Sequence, residues 1–162
     1  MSKAIPFLSV LCAASVMAGA AYAGGDQTFL KKALEGDNSE VNLGQMAEQH
    51  GSSPGIRDFG RMLHEDHAAA KAKALPVARD HGVPDTAEMA PEAKAEARKL
   101  GRLSGPAFDR EFARYMITDH KKDIADFQKE ARHGDRASAA LARDTLPNLQ
   151  KHLKTAQHLA HS

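Results

Sequence analysis

Apolar residues recur along this chain at steps of three and four, and no segment alternates apolar with polar at a step of two. The clearest stretch carries Phe108, Phe112, Met116, His120, Ile124 and Phe127 on one helical face. His120 stands in the middle of that stripe, so it is expected to face the core. An earlier segment, Gln27 to Gln49, places Phe29, Leu30, Ala33, Leu34, Val41, Leu43 and Ala47 at helical spacing. Glu40 falls near its buried edge, between Gly36 and Gly44, and Gly36-Asp37-Asn38 is weak helix material. After Gly51-Ser-Ser-Pro54, with a serine as cap and Pro54 in the first turn, Ile56, Phe59, Leu63, His67, Ala70 and Ala74 form a second stripe. Pro76 either ends that helix near Ala74 or kinks it. The last stripe is Leu141, Ala142, Leu146, Leu149, Leu153, Ala156 and Leu159, interrupted by Pro147. Pro91 to Leu100 reads as a short helix between the second and third long ones.

These elements predict an all-α fold with four long helices spanning about 26–50, 54–80, 106–133 and 136–160. The first and last turns are short, which makes each flanking pair an antiparallel hairpin. The middle connection is long and holds the short helix. The expected architecture is a ferritin-like four-helix bundle with one long B–C crossover.

Residues 1–23 read as a signal peptide, leaving 24–162 as a single domain. Lys3 gives the positive start, Ala4 to Ala20 the apolar run, and Ala21-Tyr22-Ala23 the small-x-small cleavage site. A periplasmic or secreted protein with no transmembrane segment after cleavage is therefore expected. Cys12 is the single cysteine and leaves with the signal, which excludes a disulfide, a cysteine nucleophile and thiolate metal sites. Removing Lys3 from the 22 basic residues balances the 21 acidic ones. A net charge near zero gives no footing for nucleic acid or an anionic membrane surface.

The candidate chemistry lies in the nine histidines, all after the signal. His67, His120 and His152 each sit on a buried stripe of a different helix, and Glu40 lies on the remaining one. Each falls within about four residues of its helix midpoint, or about 6 Å along the axis at 1.5 Å per residue. One carboxylate and three imidazoles at one level suit Zn²⁺, Fe²⁺ or Cu²⁺. Asp66 is expected to orient His67 from behind, and Asp119 to assist if its helix turns it inward. The competing reading keeps the buried histidines structural, in an envelope or stress-associated interaction protein with an unknown protein partner. His50, His64, His81, His133, His158 and His161 are expected at the surface. The di-iron pattern requires Glu-x-x-His on two helices. Only Glu130-x-x-His133 has that spacing, at a helix end expected to be exposed, so ferroxidase chemistry is not expected. No other catalytic motif is present, and a non-enzymatic role is expected.

Several segments carry a family resemblance: Glu40-Val-Asn-Leu-Gly-Gln-Met-Ala47, Phe59-Gly-Arg-Met-Leu-His-Glu-Asp-His67, Leu103-Ser-Gly-Pro-Ala-Phe-Asp-Arg-Glu-Phe112, Asp119-His120 and Thr145-Leu-Pro-Asn-Leu-Gln-Lys-His-Leu153. Through them the chain resembles the secreted bacterial family known as domain of unknown function 4142. The resemblance implies a ferritin-like fold and export, and implies no chemistry.

Overall fold

The computed structural model describes the backbone of residues 15–161 and the side chains of residues 24–161. The predicted signal segment thus lies outside the described residues, apart from the backbone of 15–23. Among the described residues there are five α-helices and no strand: α1 Ser15–His50, α2 Pro54–Asp80, α3 Pro91–Leu100, α4 Gly105–His133 and α5 Arg136–Leu159. No helix among them is long and apolar enough to cross a membrane.

Helix α2 begins where Ser53 accepts a hydrogen bond from the Ile56 amide, with Pro54 in its first turn. Asp135 caps α5 in the same way by accepting from the Ser138 amide at 2.7 Å. Pro76 does not end α2 at Ala74, because the helix continues to Asp80. Pro147 likewise lies inside α5. Both prolines are exposed, as are Ala72 and Arg143, whose carbonyls they leave without a helical donor.

Helix α1 packs chiefly on α2, and α4 on α5, while α2 also meets α5 and α1 meets α4. The α1–α2 approach is set by two glycines. A Cβ on Gly60 would lie 2.6 Å from the Gly44 carbonyl oxygen, and one on Gly44 would lie 2.7 Å from that of Gly60. Only hydrogen fits at this crossing. The turn between these helices is tied to α4, because Asp109 accepts from the Ser52 and Ser53 amides, each at 2.8 Å.

The α2–α3 connection is fastened to the middle of α1. Asn38 donates to the carbonyls of Thr86 and Glu88, and Ser39 accepts from the Ala90 amide. Helix α3 then packs against α1 and α4.

The core is divided in two. One cluster joins Leu43, Ile56, Phe59, Leu63, Phe108 and Phe112, and the other joins Phe29, Leu30, Leu34, Ala74, Ala78 and Leu141. On α1 the residues between these clusters include Asp37 and Glu40, and on α2 they include His67. His152 of α5 lies between Leu141 of one cluster and Ala156 of the other, and His120 of α4 follows Met116. All five polar residues are buried. A polar layer therefore crosses the core between two apolar blocks.

Candidate metal centre

His67, His120 and His152 meet in this layer. Their ring centroids are 5.3 to 5.9 Å apart. One nitrogen from each ring lies within 4.8 Å of the other two. None of the three residues is more than 4 % exposed. The sequence expectation of three histidines at one height corresponds to this geometry.

Each imidazole has one nitrogen engaged and one without a partner. His67 Nδ1 donates to Asp37 Oδ1 at 2.9 Å, leaving Nε2 free. His120 Nδ1 donates to the Met116 carbonyl at 3.0 Å, leaving Nε2 free. His152 Nε2 donates to Asp66 Oδ2 at 2.8 Å, leaving Nδ1 free. A neutral imidazole has one N–H and one lone pair, so these bonds fix the tautomers and leave three unpaired lone pairs.

Burial keeps two of the rings neutral. It lowers His120 to about 3, and the charges of the other two rings act in the same direction. It lowers His152 to about 4 against the opposing pull of Asp66. The carboxylates behind the rings differ. Burial drives Asp37 up, and His67 only partly offsets it. Burial also pushes Asp66 up, but the bond from His152 and the charges of His152 and Lys151 outweigh it and hold Asp66 low.

Two expected partners are placed differently. Asp66 orients His152 rather than His67, because neighbouring helical positions point about 100° apart and Asp66 faces α5. Asp37 holds His67 instead. It follows Ala33 by four residues and precedes Glu40 by three, a helical signal present in the sequence. Glu40 does not join His67 and His152. It groups with Asp119 and His120, one atom of each lying within 4.8 Å of the others.

Glu40 is 1 % exposed, and neither of its oxygens has a hydrogen-bond donor. Burial, then the charge of Asp119 and the carboxyl-to-carboxyl contact with it, and then the charges of Asp123 and Asp37, raise its carboxyl well above the usual range. Asp123 is pushed up to about 8 by burial and by Asp119. It lies three residues after His120 on α4, a helical spacing that the sequence carries but that the apolar stripe through Ile124 left unread. Tyr115 reaches Asp119 with a long bond of 3.4 Å.

The layer can be approached from two sides. A cavity of about 270 Å³ reaches Asp37, His67 and Asp123. Another, of about 500 Å³, reaches Asp66, His67 and His152. His67 lines both.

Two expected surface groups are drawn inward near the far end of α2. His81 is half-buried, donating from Nδ1 to the Val77 carbonyl and from Nε2 to Asp135, each at 2.8 Å. The Val77 carbonyl, then Asp135, raise its pKa despite burial. With both nitrogens donating, the Asp26–His81–Asp135 group offers no imidazole lone pair to a metal. Glu130 is buried rather than exposed. Burial and nearby Asp26 raise it to about 7. His133, its partner at di-iron spacing, is exposed.

The profile of the family described as "Domain of unknown function (DUF4142)" matches residues 12–159. The chain belongs to this family. Among solved structures it is similar to a DUF305 fragment from Deinococcus radiodurans, at 16 % identity and a TM-score of 0.74. That match covers 85 % of this chain and 95 % of the other, and at such identity the likeness is one of fold. No curated protein matches the chain.

Proposed function

We propose that this DUF4142 protein is an exported, non-enzymatic binder of a transition-metal ion, held by His67, His120 and His152. One observation carries the reading: three buried imidazoles converge, one nitrogen of each within 4.8 Å of the others, and every ring has one nitrogen held and one without a partner. Three lone pairs aimed at one point repel each other, and a Lewis acid satisfies them together. A purely structural histidine normally pairs its polar atoms, because an orphaned buried group costs about 1–3 kcal/mol. Three imidazole nitrogens suit Zn²⁺, Cu²⁺ or Fe²⁺, and a hydrogen-bonded carboxylate behind an imidazole is the usual support for such a ligand. Asp37 and Asp66 provide that support.

We also read the architecture as a ferritin-like four-helix bundle of α1, α2, α4 and α5, with the α2–α4 connection as its crossover. The fastening of that connection to Asn38 and Ser39, and the packing of α3 on α1 and α4, support this topology. Export rests on the signal pattern of residues 1–23. Fractionation with N-terminal sequencing tests it, and a mature chain starting at Gly24 is the expected product.

Elemental analysis of protein purified without a histidine tag tests the metal reading. About one equivalent of bound metal is expected, retained through dialysis and lost in His120→Ala. Metal-free wild-type protein that binds none of the three ions would favour the interaction-protein reading instead.

A further inference from the structure

We propose that Glu40, Asp119 and His120 form a second cation position, adjoining the three-histidine set and suited to a harder divalent ion such as Mn²⁺. Its three side chains come from α1 and α4, and one potential ligand atom from each lies within 4.8 Å of the others. Glu40 is the independent sign that the group is built for a ligand. Its carboxylate is almost wholly buried, and neither oxygen accepts a hydrogen bond. The nearby side chains that act on it are carboxylates, those of Asp119, Asp123 and Asp37. A cation among them would supply the missing counter-charge. Two carboxylates and one imidazole make an oxygen-rich set, whereas His67, His120 and His152 make a nitrogen set, so the two favour different ions.

The positions are not independent. His120 Nδ1 is committed to the Met116 carbonyl, leaving one lone pair, on Nε2. That lone pair serves one ion at a time, so the two positions compete for it. The carboxylate position stands without the three-histidine reading, but the competition rests on it.

The test titrates Mn²⁺ into metal-free protein by electron paramagnetic resonance and Zn²⁺ against a chromophoric chelator. Circular dichroism melting accompanies every variant. Glu40→Gln is expected to weaken Mn²⁺ about tenfold or more while leaving Zn²⁺ within about threefold, and His152→Ala to do the reverse. One equivalent of Zn²⁺ is expected to weaken Mn²⁺ binding. Metal-free Glu40→Gln is expected to melt no lower than wild type, because glutamine keeps the volume of a buried side chain neither of whose oxygens accepts a hydrogen bond. Should Glu40→Gln fail to fold, Asp119→Asn at a half-buried position carries the same expectation for Mn²⁺. Mn²⁺ binding that is absent from wild type, or insensitive to both carboxylate substitutions, overturns the second position. Equal losses for both ions in every variant reduce the two sets to one site and also overturn it. Zn²⁺ and Mn²⁺ bound together without mutual effect overturn the sharing of His120. Mn²⁺ bound through Glu40 with no Zn²⁺ binding at all removes the three-histidine reading and leaves the carboxylate position standing.

Discussion

A histidine becomes a ligand when something else decides where its proton sits. The acceptors behind His67, His120 and His152 make that decision: two carboxylates and a helix carbonyl. Replacing an acceptor without touching the ring should therefore weaken metal binding. For Asp37→Asn the negative charge behind His67 disappears and the imidazole becomes a poorer donor to metal. We expect the dissociation constant for Zn²⁺ to rise about 10-fold, within the 10- to 100-fold usual for such partners, as read by chelator competition. Asp66→Asn should act similarly through His152. Lys151, which lies 3.5 Å from Asp66, is exposed, and Lys151→Ala should change affinity little. The three histidines were legible in the sequence because each replaces an apolar residue on a regular stripe. Their acceptors were harder to assign. Asp66 neighbours His67 in sequence, yet helix rotation sends it to His152. Only the packing of α5 against α2 fixes that pairing.

At the level of elements, the layer depends on how closely α1 and α2 approach. Gly44 and Gly60 set that approach, with Glu40 one turn before the contact and His67 two turns beyond it. A methyl at Gly60 would meet the α1 backbone, namely the Gly44 carbonyl and the Glu48 amide at 2.6 Å. Backbone cannot swing aside as a flexible side chain can, so Gly60→Ala should cost about 2 kcal/mol or more, measured by urea unfolding. Gly36 provides the contrast. It lies in α1 with no atom within 4 Å of an added Cβ. Gly36→Ala should be neutral or stabilise by up to about 1 kcal/mol through helix propensity. The two substitutions are chemically identical, so opposite signs would isolate the close contact. At the other end, His81 clamps α2 to the start of α5 through Asp135. The folded state raises the His81 pKa and lowers that of Asp135. The His81 contribution is complete below its unfolded value of about 6.5 and fades as pH rises through the folded value. The Asp135 contribution is present above about 3.9 and fades as pH falls through its folded value. His81→Gln should therefore cost more at pH 5 than at pH 9. The difference should be about 1 kcal/mol or less, because Asp135 is 40 % exposed and water screens the pair. Equal costs at both pH values would mean that His81 acts by packing alone. Sequence periodicity located α2, α3, α4 and α5 and the end of α1 closely, but α1 starts at Ser15, ahead of the expected start near residue 26. It could not decide the effect of Pro76, because a proline on an outward face costs a hydrogen bond without ending a well-packed helix.

Across the whole molecule, two apolar clusters enclose a layer whose histidines belong to α2, α4 and α5. A cation at that point would link three helices that are distant in sequence. It would bind the folded chain far better than the unfolded one, where the three rings are scattered. Linkage then gives the size of the effect. At free metal 100 times the dissociation constant, stability rises by about 2.7 kcal/mol. For a domain of this size each kcal/mol moves the melting midpoint by roughly 3 °C, so a shift of about 8 °C is expected. The nine histidines complicate the comparison, because an unfolded chain carrying them also binds metal and erodes the shift. His152→Ala controls for this by keeping eight of the nine and removing only one member of the cluster. At equal free Zn²⁺, wild type should gain several degrees while His152→Ala gains little or falls. Equal shifts in the two proteins would mean that the metal acts at surface histidines such as His158 or His161. The buried cluster would then contribute to the fold through hydrogen bonding alone.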